Sequence, residues 1–462
     1  MKFGGTSVAD AASISRVTDI IGQYHASGNE VAVVISAQRG VTDQLIAVAM
    51  EVVSSQDSTM VGPFIESLRE RHMKALEGSA KDYVTEIAPL IEDRLEKLQN
   101  ILYAVHNLRD LTPRSKDYII TFGERLNSLV VSAAFMQQGI PSSVLDGCEA
   151  GILTTAQHGE AMALPEGEKK IKSSIVPLLS SQVPVIMGFM GCTGKGVLTT
   201  LGRSGSDYSA AIIGAGIDAD EIWIWTDVDG IMTSDPRVIN DARVLDSVSY
   251  LEVMELSFFG AKVMHPRSIE PAMKKDILVR VKNTFNPDHP GTSIVRNVRD
   301  DSRVVKAITY IEKVAAININ GAQMIGRPGV AKAIFSALSD SEVNVMMISQ
   351  GSSEANISLI IDEAQAAAAS ESLAALAKLG IVREVTLDRD VCAVAVVGSG
   401  MAGAKGTGGR IFTALGRADI NVRMISQGSS EVNISFVVKQ EDGPRAVRVL
   451  HDEFMLSEEC DD

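Results

Sequence analysis

Cysteine is scarce in this chain. Four cysteines (Cys148, Cys192, Cys392, Cys460) are scattered over 462 residues, with no CxxC pair and no histidine at metal-ligand spacing. That pattern excludes a disulfide framework or a zinc module and predicts reduced thiols. Basic residues are in deficit too: 43 Lys and Arg face 58 Asp and Glu, the formal net charge is −15, and no Lys/Arg-rich block occurs. No nucleic-acid partner is expected, and any polyanionic ligand must be met by a few well-placed cations. No apolar run approaches the roughly 18 residues of a membrane span, and the chain opens directly on Met1-Lys2-Phe3-Gly4-Gly5. Neither a signal peptide nor a membrane partner is predicted, and the localisation reads as cytoplasmic.

What is present is ordinary globular material, 45% hydrophobic and 22% charged, at a length that argues for about three domains. Across the first two-thirds, short apolar runs alternate with amphipathic stretches. Residues 31–35 (VAVVI), 183–187 (VPVIM), 221–225 (EIWIW) and 277–281 (ILVRV) read as buried strands. Between the first strands, Ile14, Val17, Ile21 and Tyr24 fall on one helical face behind a Ser7-x-x-Asp10 capping box. Strands alternating with helices predict an α/β domain with a mainly parallel sheet covered on both faces. Residues 60–112, rich in Glu, Lys, Leu and Arg, break the rhythm and read as a helical insertion outside the sheet.

The last third repeats itself. Residues from Val314 align with those from Val391 at a constant offset of 77, without a gap through Ile361 and Val438. Gly321, Met324 and Gly329 match Gly398, Met401 and Gly406. The octapeptide MISQGSSE at 347–354 recurs unchanged at 424–431, and Asn356-Ile357-Ser358 recurs as Asn433-Ile434-Ser435. Each copy reads as strand, Gly-containing loop, helix, strand, turn, strand, a βαββ unit. A duplicated module without a ligand satisfies the repeat as well as a ligand-binding one does.

Four clusters carry chemistry. Lys2-Phe3-Gly4-Gly5-Thr6-Ser7 sets glycines between a short strand and a helix, where backbone N–H groups can approach phosphate oxygens. It is not a P-loop, because no GKS or GKT follows. Gly202-Arg203-Ser204-Gly205-Ser206-Asp207 places a planar guanidinium, suited to a carboxylate or phosphate, before a small-residue helix. Residues 225–237 (WTDVDGIMTSDPR) begin at the carboxyl end of a buried strand, where open α/β sheets bind ligands. Residues 259–266 (FGAKVMHP) offer a lysine beside a glycine. Each cluster alone also reads as a capped helix or a tight turn.

Taken in order, KFGGTSV, SAQRGVTD, TFGERLNS, GRSGSDYSAA, TDVDGIMTSDPRV and FGAKVMHP resemble the aspartate kinases within the wider amino-acid kinase family. The resemblance covers essentially the whole chain, since tandem ACT modules form the usual C-terminal part. It implies an amino-acid-kinase three-layer sandwich with a mainly parallel sheet over residues 1–298, then two βαββ ACT-type units at 304–385 and 386–462, which can interlace. It implies transfer of the γ-phosphoryl group of ATP, with Mg²⁺, to the side-chain carboxylate of L-aspartate. Lys2, Arg203 and Asp207 would be catalytic, and Thr42, Glu124, Arg203 and Ser206 would hold aspartate. A zwitterion needs one anchor of each sign, which fits Glu124 toward the ammonium and Arg203 toward the α-carboxylate. Lys2, Gly4, Gly5, Thr226, Asp227, Met232, Arg237, Lys262 and Val263 would hold ATP, and no protein side chain is expected to ligate the metal directly. Thr42, Asp207 and Thr226 also read as caps or turn residues.

Three positions depart from the family pattern. Ser204 replaces a usual glycine, Met232 offers no ring to stack on a base, and one residue precedes Lys2, which shortens the first strand. The paired units predict a homodimer or larger homo-oligomer and feedback by lysine or threonine, with Met324, Gly329, Asn344, Gln350, Asn421 and Gln427 as effector-site candidates. A kinase for N-acetylglutamate or glutamate, and a non-catalytic amino-acid sensor, are the competing readings. A fusion to homoserine dehydrogenase is not expected, because the chain stops just after the second repeat.

Overall fold

The computed structural model describes residues 1–260, 264–298, 303–321, 326–351 and 356–458. In chain order the elements are β1 (Lys2–Phe3), α1 (Ala11–Ala26), β2 (Val33–Ile35), α2 (Val41–Ser54), α3 (Val61–Ser79), α4 (Val84–Leu108), α5 (Pro113–Ile120), α6 (Phe122–Gln137) and β3 (Ser142–Leu145). Then come α7 (Gly167–Leu179), β4 (Val183–Met187), β5 (Met190–Cys192), β6 (Leu198–Thr200), α8 (Gly205–Gly216), β7 (Glu221–Thr226), β8 (Ser247–Ser249), α9 (Tyr250–Phe258), α10 (Pro266–Lys275), β9 (Leu278–Asn283) and β10 (Thr292–Val295). The C-terminal third holds β11 (Ala307–Ile311), β12 (Val314–Asn320), α11 (Val330–Asp340), β13 (Val345–Gln350), β14 (Asn356–Asp362), α12 (Ala366–Lys378) and β15 (Glu384–Asp388). It ends with β16 (Cys392–Val397), α13 (Thr407–Arg417), β17 (Met424–Gln427), β18 (Asn433–Val438) and α14 (Gly443–Glu453). Two compact units result: Met1–Ile231, Asp246–Tyr250 and Val263–Asn297 form one, and Met232–Leu245, Leu251–Lys262 and Val298–Asp462 form the other. Division by packing therefore differs from division by sequence pattern, because two short segments before residue 298 fold with the C-terminal third.

The first unit is built on an eight-stranded sheet of order β3-β4-β2-β1-β7-β9-β10-β8. From β3 to β9 every neighbour is parallel, and only β10 runs antiparallel to β9. Helices α7, α8 and α10 cover one face, and α1, α2 and α6 the other, giving three layers. Helix α1 shows why these residues fold so. Ile14, Val17 and Ile21 are fully buried along one face. The expected Ser7 cap is corrected: Asp10 is the N-cap and accepts from the Ser13 N–H at 2.8 Å. Ser7 instead lies buried with its hydroxyl 2.7 Å from that of Thr284. An aspartate at the cap position reaches the third helical N–H directly, so Ser7 is released for packing.

The 60–112 segment forms α3 and α4, which lie against α1, α2 and α6 rather than on the sheet. Val61, Ile65, Leu68, Ile91, Leu95, Leu98 and Leu102 bury a continuous stripe in the main core. Beneath it, Pro113–Gln137 is long and apolar enough to cross a membrane by composition, but 89% of its most apolar window is buried inside the protein, as in a core helix.

In the second unit the repeat forms two four-stranded antiparallel sheets, β13-β14-β12-β15 and β11-β16-β18-β17. Each repeat carries a second helix, α12 or α14, beyond the βαββ read from sequence. The copies also interlace: β11 precedes the first copy but pairs with β16 of the second, Ala307 opposite Val397 through Ile311 opposite Ala393. The fourth strand of the first sheet is β15, beside β12. The identical MISQ strands β13 and β17 lie at the edges of their sheets, and the Ser426 hydroxyl donates to the Ile348 carbonyl at 3.4 Å.

Candidate active site

The parallel strands β1, β2 and β4 end together at Phe3, Ile35 and Met187, and the turns beyond them surround a cavity of about 820 Å³. Open parallel sheets bind ligands at this end. Two glycines let the turns close in. The Gly4 N–H donates to the Trp225 carbonyl at 3.2 Å, and a Cβ on Gly5 would sit 2.8 Å from the Ala37 carbonyl oxygen, inside contact distance. The Arg39 N–H donates to the Gly5 carbonyl at 3.1 Å, so the KFGG and SAQRG turns are stitched together.

Lys2, Gly5, Thr42, Glu124, Arg203, Ser206 and Asp207 all line this cavity. Gly4 is not among the lining residues, but a Cβ there would stand 3.4 Å from the Lys2 ammonium. Lys2 Nζ lies 2.5 Å from Asp207 Oδ1, in the first turn of α8. The angles do not make this a hydrogen bond, and Oδ1 has no hydrogen-bond partner among the described residues. Glu124, in the first turn of α6, is 3% exposed. Its Oε1 accepts from the Ala37 N–H at 3.1 Å, and its Oε2 is buried without a partner among the described residues. Burial pushes the carboxyl up to about 8, against the backbone hydrogen bonds and the Lys2 charge, which act to lower it. Arg203 is exposed at the rim. Together, Lys2, Arg39, Lys116 and Arg203 concentrate cationic side chains around the cavity of an acidic protein.

Other lining residues carry no role in the sequence motifs. Gln38 is buried, accepts from Arg71 Nε at 2.9 Å and stands 3.4 Å from Asn127 Oδ1. That chain ties insertion helix α3 to the turn before Thr42 and to the Glu124 helix. Phe189 holds a left-handed φ of 71° with its N–H on the Ser209 hydroxyl at 3.0 Å. An aromatic residue adopts that conformation only where the surroundings impose it. Asp117 and His158 also line the wall, and neither has a local pattern that would have marked it.

The expected nucleotide residues divide between the units. Thr226 ends β7, with its hydroxyl donating to Asp227 Oδ1 at 3.1 Å, in the first unit. Met232 and Arg237 belong to the second. There Arg237 Nε lies 3.0 and 3.1 Å from the two carboxylate oxygens of Asp235, and its Nη2 donates to Oδ2 at 2.5 Å. Lys262, Val263 and the effector candidate Met324 lie outside the described residues. Among the described residues, no group of three His, Cys, Asp or Glu side chains is placed to hold a metal ion.

This geometry agrees with sequence comparison. The model of the amino acid kinase family matches residues 1–283, and an ACT domain model matches 317–376 and 394–454. Aspartokinase 3, chloroplastic, of Arabidopsis thaliana is 31% identical over 475 residues, spanning 100% of this chain and 82% of that protein. The chain belongs to the aspartokinases, within the amino acid kinase family. Another relative is the bifunctional aspartokinase/homoserine dehydrogenase 1, chloroplastic, of Zea mays, 35% identical over 469 residues. That alignment takes in 99% of this chain, which spans about half the length of the bifunctional relatives it matches. Among solved structures, E. coli aspartokinase III in complex with aspartate and ADP (R-state) matches with a TM-score of 0.83 at 27% identity, covering 98% of this chain and 99% of that one. The same enzyme with lysine and aspartate (T-state) matches at 0.78, with 98% of each chain covered.

The loops of the two ACT copies turn on glycine. Gly329 (φ 93°) and Gly406 (φ 86°) occupy equivalent left-handed N-cap positions of α11 and α13. In the second copy the Gly403 N–H donates to Glu431 Oε2 at 2.7 Å. A carboxylate already occupies that donor. Asn344, Gln350, Asn421 and Gln427 are exposed.

Proposed function

We propose that the chain phosphorylates the side-chain carboxylate of L-aspartate with ATP, giving 4-phospho-L-aspartate and ADP, the first step toward lysine, threonine, methionine and isoleucine. The observation that carries this reading is the cavity itself: a buried carboxylate oxygen with no partner among the described residues, a rim guanidinium, and a lysine in the short strand β1 at the middle of the sheet. Glu124 takes the substrate ammonium and Arg203 its α-carboxylate, with Thr42 and Ser206 completing the pocket. The side-chain carboxylate, with an ordinary pKa of about 3.9, is already ionised and needs no general base. Its oxygen attacks the γ-phosphorus, the bond to the β,γ-bridging oxygen breaks, and ADP leaves with that electron pair. Lys2, oriented by Asp207, stabilises charge on the transferred group alongside the Gly4–Gly5 backbone. Thr226, Asp227, Met232, Arg237, Lys262 and Val263 are the nucleotide contacts this reading requires. Mg²⁺, when bound, would be carried by the ATP phosphates and would supply neutralisation of part of their charge.

Residues 1–298 then act as the catalytic domain, and 304–385 and 386–462 as the two ACT modules. Lysine or threonine binds the ACT loops near Gly329, Asn344, Gln350, Asn421 and Gln427 in a homodimer or larger oligomer, in the cytoplasm, and lowers activity. Supporting this are the ADP, aspartate and lysine complexes of E. coli aspartokinase III and the duplicated edge strands. The test is ADP release with aspartate, glutamate and N-acetylglutamate as acceptors, repeated with lysine and threonine. Turnover of aspartate alone is expected; turnover of another acceptor in preference would refute the reading.

A further inference from the structure

Asp117 lies in α5, is 1% exposed, and gathers bonds from Thr200, Gly159 and His158 at the cavity wall. Its Oδ1 accepts from the Thr200 hydroxyl at 2.6 Å and from the Gly159 N–H at 3.0 Å. Its Oδ2 stands 3.2 Å from the Thr200 N–H and 2.6 Å from His158 Nδ1. Charge-assisted bonds of this length are strong and directional. The three segments they join are not neighbours in sequence.

Each segment leads to a substrate anchor. Helix α5 passes through Thr121 straight into α6, whose first turn carries Glu124. Thr200 closes β6 and precedes Gly202-Arg203. The 158–161 turn lies between them. The Ala161 N–H donates to the Thr200 carbonyl at 2.9 Å, and a Cβ on Gly202 would sit 3.0 Å from the Gly159 carbonyl oxygen. Thus one buried carboxylate ties the element that presents a negative anchor to the element that presents a positive one.

We propose that Asp117 is a positioning residue: through Thr200, Gly159 and His158 it fixes the spacing between Glu124 and Arg203, and so sets affinity for a free α-amino acid. This rests on the reading of the cavity as the aspartate site. The two charged groups of an α-amino acid are joined by one carbon, so their separation is rigid and a displaced anchor loses one of them. Bonds at the phosphoryl centre, supplied by Lys2, are untouched.

The experiment compares Thr200→Val, Thr200→Ser and Asp117→Asn with wild type in steady-state kinetics and thermal melts. Thr200→Val keeps the shape and removes only the hydroxyl; it should raise KM for aspartate about tenfold, since small misplacements of anchors act at this scale. KM for ATP and kcat should stay within about twofold, because neither depends on the anchor spacing. Thr200→Ser restores the donor and should recover the wild-type KM. Asp117→Asn, which turns an amide NH₂ toward existing donors, should go in the same direction and further. Unchanged aspartate KM in Thr200→Val and Asp117→Asn, with an active wild type, overturns the tie. So does an equal loss in kcat and both KM values that Thr200→Ser fails to reverse. A wild type that does not use aspartate would overturn the reading of the site itself.

Discussion

Lys2 Nζ and Asp207 Oδ1 stand 2.5 Å apart, although one opens the chain and the other begins the helix after β6. Both side chains are about nine-tenths buried. The contact is an ion pair that does not meet hydrogen-bond angles, and it holds the ammonium at the wall of the cavity.

Lys2→Ala should therefore have two separable effects. The rate falls by about 10²–10³ in kcat, the usual loss for a preorganised charge. Stability also falls, by about 3 kcal/mol, because Asp207 is left buried and unpaired. Adding Asp207→Asn should restore the melting temperature while kcat stays low. Recovery of kcat in the double variant would remove Lys2 from the chemistry.

With Glu124 as the proposed ammonium anchor, aspartate binding should be pH-dependent. Its carboxyl is raised to about 8, so near neutral pH the unloaded site holds a proton that an incoming ammonium displaces. Binding between roughly pH 6 and 8 should release up to one proton per site, and KM for aspartate should fall as pH rises through that window. Stability runs the other way. A folded-state carboxyl raised above its unfolded value binds a proton the unfolded chain has lost, so the unloaded protein loses stability as pH climbs toward 8. Glu124→Gln should flatten both dependences. Calorimetry of aspartate binding in phosphate and in Tris is the check, and equal enthalpies in the two buffers would refute the assignment.

Ser204 holds φ 54° at the N-cap of α8, with no side-chain cap bond. A left-handed conformation costs an L-residue about 1–2 kcal/mol, partly offset by the greater chain entropy lost by glycine. Ser204→Gly should raise stability by up to about 1 kcal/mol, read as a higher melting temperature.

Much of this architecture was legible because it is periodic. The runs at 183–187 and 221–225 became β4 and β7, and the Ile14-Val17-Ile21 face lies fully buried in the core. The 77-residue offset marked two like modules. What stayed hidden depends on contacts distant in sequence. An apolar strand pattern at 307–311 cannot say that its partner is Val397 rather than a strand of the first copy. Asp117 meets Thr200 only after three segments have folded. The charge type of the proposed substrate anchors, Glu124 and Arg203, stands in the sequence, but the raised carboxyl of Glu124 follows from burial, which no local motif encodes.

Burial also governs the last prediction. Lys306 and Glu252 form an ion pair 3.2 Å long with side chains 1% and 0% exposed. Glu252 Oε1 also accepts from the Ser399 N–H at 2.6 Å, Glu255 Oε2 from Asn433 Nδ2 at 2.7 Å, and the Phe259 carbonyl from the Thr309 hydroxyl at 2.8 Å. These bonds fasten the 251–260 segment to β11, β18 and the start of the loop before α13. Glu252→Gln weakens both the ion pair and the bond from Ser399, so it should lower the melting temperature, whereas Glu252→Gln with Lys306→Met should recover part of that loss. The segment precedes Lys262, a nucleotide candidate, in sequence, and Glu252, Glu255 and Phe259 along it are all bonded to the second repeat's sheet and its flanks. The ion pair should couple this segment to the sheet more firmly than a Gln–Met contact would. The double variant should keep its uninhibited kcat within about twofold, while inhibition by lysine or threonine weakens about tenfold, within the usual 1–3 kcal/mol of allosteric coupling. Dose–response curves for both amino acids on the folded double variant decide it. Wild-type inhibition there would show that the link carries stability and no signal.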